Sequence, residues 1–323
     1  MVSLTGKKIL VTGVSGKVGV PMSQRLLNDG NEVWGVSRFT NQDRKRRLDD
    51  MGVVTRYVDL MNPDFSELPE HFDHVIHLGG DVCQGDETGI YMPNGKSFYL
   101  ANRVNAVATG KLMSRFRNAD SILVTSTTGV FEKRAAEFWD QKEVEDGRLG
   151  PFHADAPQYS SSKNAQEAVA QFAAEEFGVK TTIARMGCQV SSIEGGLAAG
   201  YVGAIMMDMP FPGFHTDRPS VYQYIHDDDL YDHLPGLLDI AATTPETLNW
   251  TGQETVDMRD VARLIATRLG KGEPEFIADP WGLCCTLSDT TKLVEMVGPC
   301  KLDWKESFNR VMDELLPEHP RVQ

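Results

Sequence analysis

Short apolar runs alternate with amphipathic stretches through the first half of the chain. Lys7-Lys8-Ile9-Leu10-Val11 is an apolar run ended by Thr12-Gly13, the pattern of a strand buried on both faces. Val18, Met22 and Leu26 then recur every four residues, one face of a helix, and Gly30 closes it where a left-handed cap belongs. The same reading gives strands over Glu32–Val36, Val53–Val58, His74–Leu78, Ile122–Thr125 and Val179–Ala184. Helices are predicted over Arg103–Phe116 and from about Gln158 to Phe177, the second burying Ala165, Ala168, Val169, Phe172 and Ala173. Strands alternating with helices build a parallel α/β sheet with right-handed crossovers.

After about Met186 the alternation weakens, and glycine and proline gather in Gly195-Gly196 and Pro210-Phe211-Pro212-Gly213. The expected architecture is a doubly wound parallel sheet over residues 1–186, with a return segment near 222–245. A smaller lobe is expected from 187–221 and 246–323. Such a lobe covers the carboxyl edge of the sheet, where folds of this kind bind ligands. Met206, Met207, Met209, Phe211 and Phe214 supply either an apolar pocket or the core of that lobe.

Length and charge narrow the function. The chain has 323 residues and a formal net charge of −14, so its surface is a poor match for a nucleic-acid backbone. The basic run Arg44-Lys45-Arg46-Arg47 is too short to reverse that. No apolar run approaches the roughly 18 residues of a membrane span, and the first residues lead directly into a strand, with no signal-peptide pattern. The five cysteines (Cys83, Cys188, Cys284, Cys285 and Cys300) are scattered with no C-x-x-C pair. That usage suits reduced thiols in a cytoplasmic protein.

Two stretches carry chemistry. Gly13, Gly16 and Gly19, with Ser15, Lys17 and Val18 between them, stand between a strand and a helix. This is the setting in which glycines admit a pyrophosphate at a helix N-terminus, as in a Rossmann-type dinucleotide site. The next strand ends Val36-Ser37-Arg38. No carboxylate stands there for a ribose 2′-hydroxyl, whereas Ser37 and Arg38 suit a 2′-phosphate, so NADP is favoured over NAD. Asp59 and Leu60 after the third strand, and Leu78, Gly79 and Gly80 after the fourth, complete the expected cofactor wall. His71, His74 and His77 do not read as a metal site, because residues three apart on a strand point to opposite faces. Tyr159 and Lys163 are four apart on a helix and share a face. A phenol titrates near ~10 in water, and a neighbouring ammonium favours its phenolate. The hydroxyls of Ser126-Thr127-Thr128 at the end of the fifth strand are placed to orient a reacting oxygen.

With these residues in order, the chain resembles the extended short-chain dehydrogenase/reductases, the NAD-dependent epimerase/dehydratase group, over nearly its whole length. The resemblance implies Tyr159 as general acid/base, Lys163 as its partner, Thr127 at the catalytic Ser/Thr position and Asn105 on the active-site helix. It also implies cofactor contacts from Asn105, Tyr159, Lys163 and Met186, a structural role for the acidic run His226-Asp227-Asp228-Asp229, no metal, and a homodimer through the helices carrying Asn105 and Lys163. Thr127 is followed by Thr128-Gly129, without the Asp-Glu of sugar-nucleotide dehydratases. The sixth strand ends Arg185-Met186-Gly187-Cys188-Gln189-Val190, unlike the epimerases' usual pattern. Tyr222 stands where those enzymes tend to have a diphosphate-binding arginine, and Arg218 lies nearby. The expectation is an NADP-preferring oxidoreductase interconverting a carbonyl and an alcohol on a small molecule. A nucleotide-sugar epimerase with tightly bound NAD is the alternative, and a non-catalytic dinucleotide sensor, which usually lacks the Tyr/Lys pair, the least favoured reading.

Overall fold

A computed structural model describes residues 2–80, 95–132, 140–150, 157–214, 220–278 and 287–321. Cys83, Cys284, Cys285 and Arg218 lie outside these residues, as does the side chain of Phe214. The first half runs β1 (Lys8–Thr12), α1 (Gly19–Asn28), β2 (Glu32–Ser37), α2 (Gln42–Met51), β3 (Val54–Tyr57), β4 (His74–His77), α3 (Gly95–Asn102), a π-helical turn (Arg103–Val107), α4 (Ala108–Arg115) and β5 (Ser121–Thr127). Then come β6 (Lys142–Glu143), α5 (Pro157–Phe177), β7 (Thr181–Met186), β8 (Cys188–Val190), α6 (Leu197–Met206), β9 (Phe211–Phe214), β10 (Val221–Tyr222), β11 (Tyr224–His226) and α7 (Asp227–Asp239). The remainder is β12 (Glu246–Trp250), β13 (Val256–Asp257), α8 (Met258–Arg268), β14 (Phe276–Ala278), β15 (Leu287–Ser288), α9 (Thr291–Met296) and α10 (Trp304–Leu315).

Seven strands form one parallel sheet in the order β12-β7-β5-β4-β1-β2-β3. The chain starts in the middle, builds outward through β2 and β3, and then crosses back to β4. The strand order therefore reverses between β1 and β4, and the crevice beyond their carboxyl ends is where such a sheet takes a ligand. Every residue of β4 is buried, as are Ile9 to Val11 and Ile122 to Val124. Helices cover both faces, which is why these strands read as continuous apolar runs.

The sheet takes in more of the chain than the sequence pattern marked. β12, which falls in the segment assigned to the lobe, hydrogen-bonds to β7 as an edge strand. Its Trp250 is fully buried in the core that also holds Leu234, Leu237 and Leu248. The lobe has its own core, in which Ala198, Val202 and Ile205 of α6 meet Val261 and Ile265 of α8 and Phe308 and Met312 of α10. Phe211 belongs to that core. Met206, Met207 and Met209 do not, and stand exposed at the end of α6.

Candidate active site

Glycine geometry shapes the crevice. Gly13 has φ +66, and a Cβ there would lie 2.7 Å from the Gly79 Cα. The turns after β1 and β4 thus touch backbone to backbone, with no room for a side chain. At Gly19 a Cβ would meet the Gly13 carbonyl oxygen at 2.5 Å, which seats α1 tightly on the first turn. No side chain caps the N-terminus of α1, and its first turn, with the Val20 N–H on the Gly16 carbonyl and Pro21 lacking an N–H, sets the positive end of the helix dipole beside the glycine turn. This cradle fits a pyrophosphate.

A cavity of ≈ 540 Å³ runs along these turns. Gly13, Ser15, Gly16, Lys17, Val18, Gly19, Ser37, Arg38, Asp59, Leu60, Leu78, Gly79, Gly80, Tyr159, Lys163 and Met186, all marked in the sequence, line it together. At one end the Ser15 and Ser37 hydroxyls are 2.6 Å apart. Beside them Phe39 turns its ring into the core with φ 48, a left-handed conformation uncommon for a bulky residue. Arg38 and Thr40, on either side of it, are exposed at the cavity rim. Arg44 reaches the same rim from α2 and donates to the carbonyls of Ser15 (3.3 Å) and Glu194 (2.6 Å). Asp59 Oδ1 accepts from the Met61 N–H at 2.9 Å, fixing the turn after β3.

At the other end Tyr159 and Lys163 project from α5. The Lys163 Nζ donates to the Thr125 carbonyl at 2.7 Å. Its burial pushes the ammonium down to about 8, and the Glu167 carboxylate opposes that shift. Glu167 is itself held by Arg185 in a bidentate pair at 2.9 and 2.7 Å, and the Ser126 hydroxyl donates to it at 2.5 Å. A Cβ on Gly80 would lie 3.7 Å from the Lys163 Nζ, so the β4 turn runs directly past the lysine.

Two expected site residues are not among those lining the cavity. Asn105 is fully buried in the π-helical turn and donates from Nδ2 to the Ser162 hydroxyl at 2.8 Å, beneath α5. Thr127 Oγ1 accepts from the Gly129 N–H at 3.1 Å, capping the turn that follows β5. The cavity instead takes in Thr125 and Ser126 from that strand, together with Val36, Thr40, Arg44, Val58, Met61, Val104 and Gln189. Of these, Ser126 was marked in the sequence among the hydroxyls ending the fifth strand, and Arg44 by the basic run, which equally suited a solvated helix face.

The histidines and acids singled out by spacing have structural partners. His74 Nδ1 lies 2.9 Å from the Ser121 hydroxyl, and His77 lies between Thr12 and Thr109. Asp228 pairs with Arg25 and Arg310, Asp229 accepts from the Lys301 N–H, and Asp227 is held by Gln189. Burial pushes Asp227 up to about 6. Tyr222 is buried and stacked on Tyr224 with ring centroids 5.8 Å apart. Among the described residues no helix is long and apolar enough to cross a membrane.

Known proteins share this fold. UDP-glucuronic acid 4-epimerase from Bacillus cereus, solved with UDP-glucuronic acid and NAD, superposes with a TM-score of 0.77 at 19% identity, covering 95% of this chain and 99% of that one. The Thermus thermophilus UDP-glucose 4-epimerase, solved with NAD, gives 0.75 at 20% identity, over 94% and 97%. These two show the fold. UDP-glucuronic acid decarboxylase 1 of Xenopus tropicalis is 24% identical over 285 residues, 84% of this chain, which spans 63% of that relative's length. The signature of the NAD dependent epimerase/dehydratase family matches residues 9–207, more than half of the chain, and the protein belongs to that family.

Proposed function

We propose that the protein is a nicotinamide-dinucleotide enzyme that interconverts an alcohol and a ketone at a carbon of a nucleotide-linked sugar, in the epimerase manner. The observation that carries the redox chemistry is the Tyr159/Lys163 pair facing the end of a cavity that begins in the glycine cradle. The sugar-nucleotide substrate is supported by the relatives, which are UDP-sugar enzymes solved or named as such.

The bound dinucleotide supplies a hydride acceptor and donor. The chain does the rest. The glycine turns and the α1 N-terminus hold the pyrophosphate, and Asp59 stands at the adenosine side. The Tyr159 phenolate takes the proton from the substrate hydroxyl as the carbon–hydrogen bond is lost, and returns it to the ketone oxygen in the reverse step. Lys163, anchored on the Thr125 carbonyl, stabilises that phenolate and has further N–H bonds to offer a ribose hydroxyl. Thr127 remains the residue proposed to orient the reacting oxygen, and Asn105 acts from beneath by holding Ser162, the neighbour of Lys163.

A second reading, net reduction of a carbonyl by NADPH, is favoured by one observation. Arg38 stands exposed at the cavity rim, and the end of β2, Val36-Ser37-Arg38, carries no carboxylate to receive a 2′-hydroxyl. Acid release and chromatography of nucleotide from the purified protein, followed by incubation with UDP-glucose and UDP-glucuronic acid, separates the two. The epimerase reading expects co-purifying NAD, a new epimer by NMR with no net change in nicotinamide absorbance, and strong thermal protection by UDP. A ligand at about 100 times its dissociation constant adds about 2.7 kcal/mol. Protein free of nucleotide, unprotected by UDP and oxidising NADPH with a carbonyl substrate, would instead establish the reductase.

A further inference from the structure

His77 ends β4 with its ring fully buried, and counting hydrogens fixes its chemical state. Thr109 has one hydroxyl hydrogen, and its Oγ1 lies 2.6 Å from the Asn105 carbonyl, which can only accept. That hydrogen is spent there, and Gln166 Nε2 donates to the same Oγ1 at 3.0 Å. His77 Nε2, 2.9 Å from Thr109 Oγ1, must therefore bring the proton itself. In a neutral ring Nδ1 is then an acceptor, so Thr12 Oγ1, 2.6 Å away, donates its hydrogen to the ring. The remaining capacity of Thr12 Oγ1 accepts the Gly79 N–H at 3.0 Å. Every proton in the chain has one direction. An imidazolium would reverse it, strip Thr12 of its acceptor and add a charge beside Lys163. Burial, with that ammonium, holds the ring down to about 3.

The two ends of this chain of bonds are functional. Gly79, pinned through Thr12, is the residue against which Gly13 packs without room for a Cβ. Asn105, pinned through Thr109, donates to Ser162 beside Lys163, and its Oδ1 stands 3.0 Å from where a Cβ on Gly80 would lie. We propose that His77 is a positioning residue for the dinucleotide, a neutral Nε2–H imidazole whose one-way hydrogen bonds set both cradle turns at a fixed distance from the catalytic helix. The proposal rests on the dinucleotide reading of the cavity.

Three variants and one spectrum test it. In nitrogen-15 NMR of the wild type at pH 7, the ring should appear as the neutral Nε2–H tautomer. An Nδ1–H or cationic ring overturns the network whatever the cavity binds. NADH and NADPH binding is then followed by nicotinamide fluorescence. Thr12→Val, which severs the link to Gly79 and keeps the β-branched shape, should weaken the preferred dinucleotide about 5- to 10-fold, the size of one buried hydrogen bond. His77→Leu should weaken it further, and His77→Gln, whose amide offers an acceptor and a donor in place of the two ring nitrogens, should restore most of the affinity. Wild-type affinity in Thr12→Val, or a glutamine variant no better than the leucine variant, overturns the positioning role. A wild type that binds neither nucleotide defeats the dinucleotide reading, a result distinct from a failed tautomer or a failed rescue.

Discussion

Tyr159 and Lys163 line the same pocket, and substitution separates the roles proposed for them. Tyr159→Phe keeps the ring and removes the proton carrier, so turnover should fall by roughly 100-fold or more, with dinucleotide affinity nearly unchanged. Lys163→Met should harm both, because the ammonium is assigned two roles, stabilising the phenolate and bonding the ribose. Near-normal turnover in Tyr159→Phe would remove the acid/base assignment. His77 makes a separate claim on stability. Its folded-state value is depressed, to about 3 against an ordinary 6.5. Between these values the unfolded chain binds a proton that the folded chain refuses. The contribution is complete above about pH 6.5 and is lost as pH falls towards the folded value. Lowering the pH from 6.5 to 5 should cost about 2 kcal/mol from this ring alone. Denaturant melts of wild type and His77→Gln across that range measure it, and the variant should show the shallower slope. Parallel slopes would mean that the ring accepts a proton without penalty.

Elements were legible in the sequence where the physics was local. The strands of the first half, the glycine turns and the helix carrying Tyr159 lie where apolar runs and turn residues placed them, because a buried parallel strand needs continuous hydrophobicity and a tight turn needs glycine. α5 was read partly right, since Ala173 is buried as expected. Its buried residues include Ser162, Lys163, Gln166 and Glu167, while Ala168 and Phe172 are exposed. The polar residues share the buried face with Ala170, Ala173 and Ala174, and their hydrogen bonds to β5 and β7 could not be foreseen from spacing. The π-helical turn that buries Asn105 left no periodic trace, and β12 was hidden by its distance in sequence from β7. The glycine turns also give a prediction with an internal control. Gly13 and Gly30 both have positive φ, +66 and +81, but a Cβ at Gly13 meets backbone, whereas nothing lies within 4 Å at Gly30. Gly30→Ala should cost roughly 1 kcal/mol of stability and leave nucleotide binding intact. Gly13→Ala should abolish dinucleotide binding in a fluorescence titration, since the two cradle turns must part. Equal binding by both variants would show that the turns are not the cradle.

At the scale of the whole molecule, the exposed side of α5 asks for a covering. Phe172 lies nine residues beyond Lys163, about two and a half helical turns, and so faces directly away from the cavity. It is 61% exposed, and on the neighbouring helical segment Tyr99 is 61% and Val107 39% exposed. Scattered surface hydrophobics need no explanation, but these stand on two helices packed side by side, α3 with its π-helical continuation and α5. The resemblance to extended short-chain dehydrogenase/reductases implies a homodimer through these same helices, and the outward apolar residues are what such an interface requires. A stable two-fold contact buries roughly 1,200–2,000 Å² in total, with aromatic residues near its centre. Phe172→Glu would place a carboxylate in this apolar face, without touching Tyr159, Lys163 or the glycine turns. Light scattering at micromolar concentration should therefore give a dimer for the wild type and a monomer for the variant. The wild-type melting temperature should also rise with protein concentration, as mass action requires when only the folded chain associates. Because α5 carries Lys163 on its inner face, the monomeric variant should also bind the dinucleotide less tightly, through a helix no longer braced from outside. A wild type that is monomeric, with a concentration-independent melt, would leave the helix pair as ordinary solvated surface and remove dimerisation from the account of the active site.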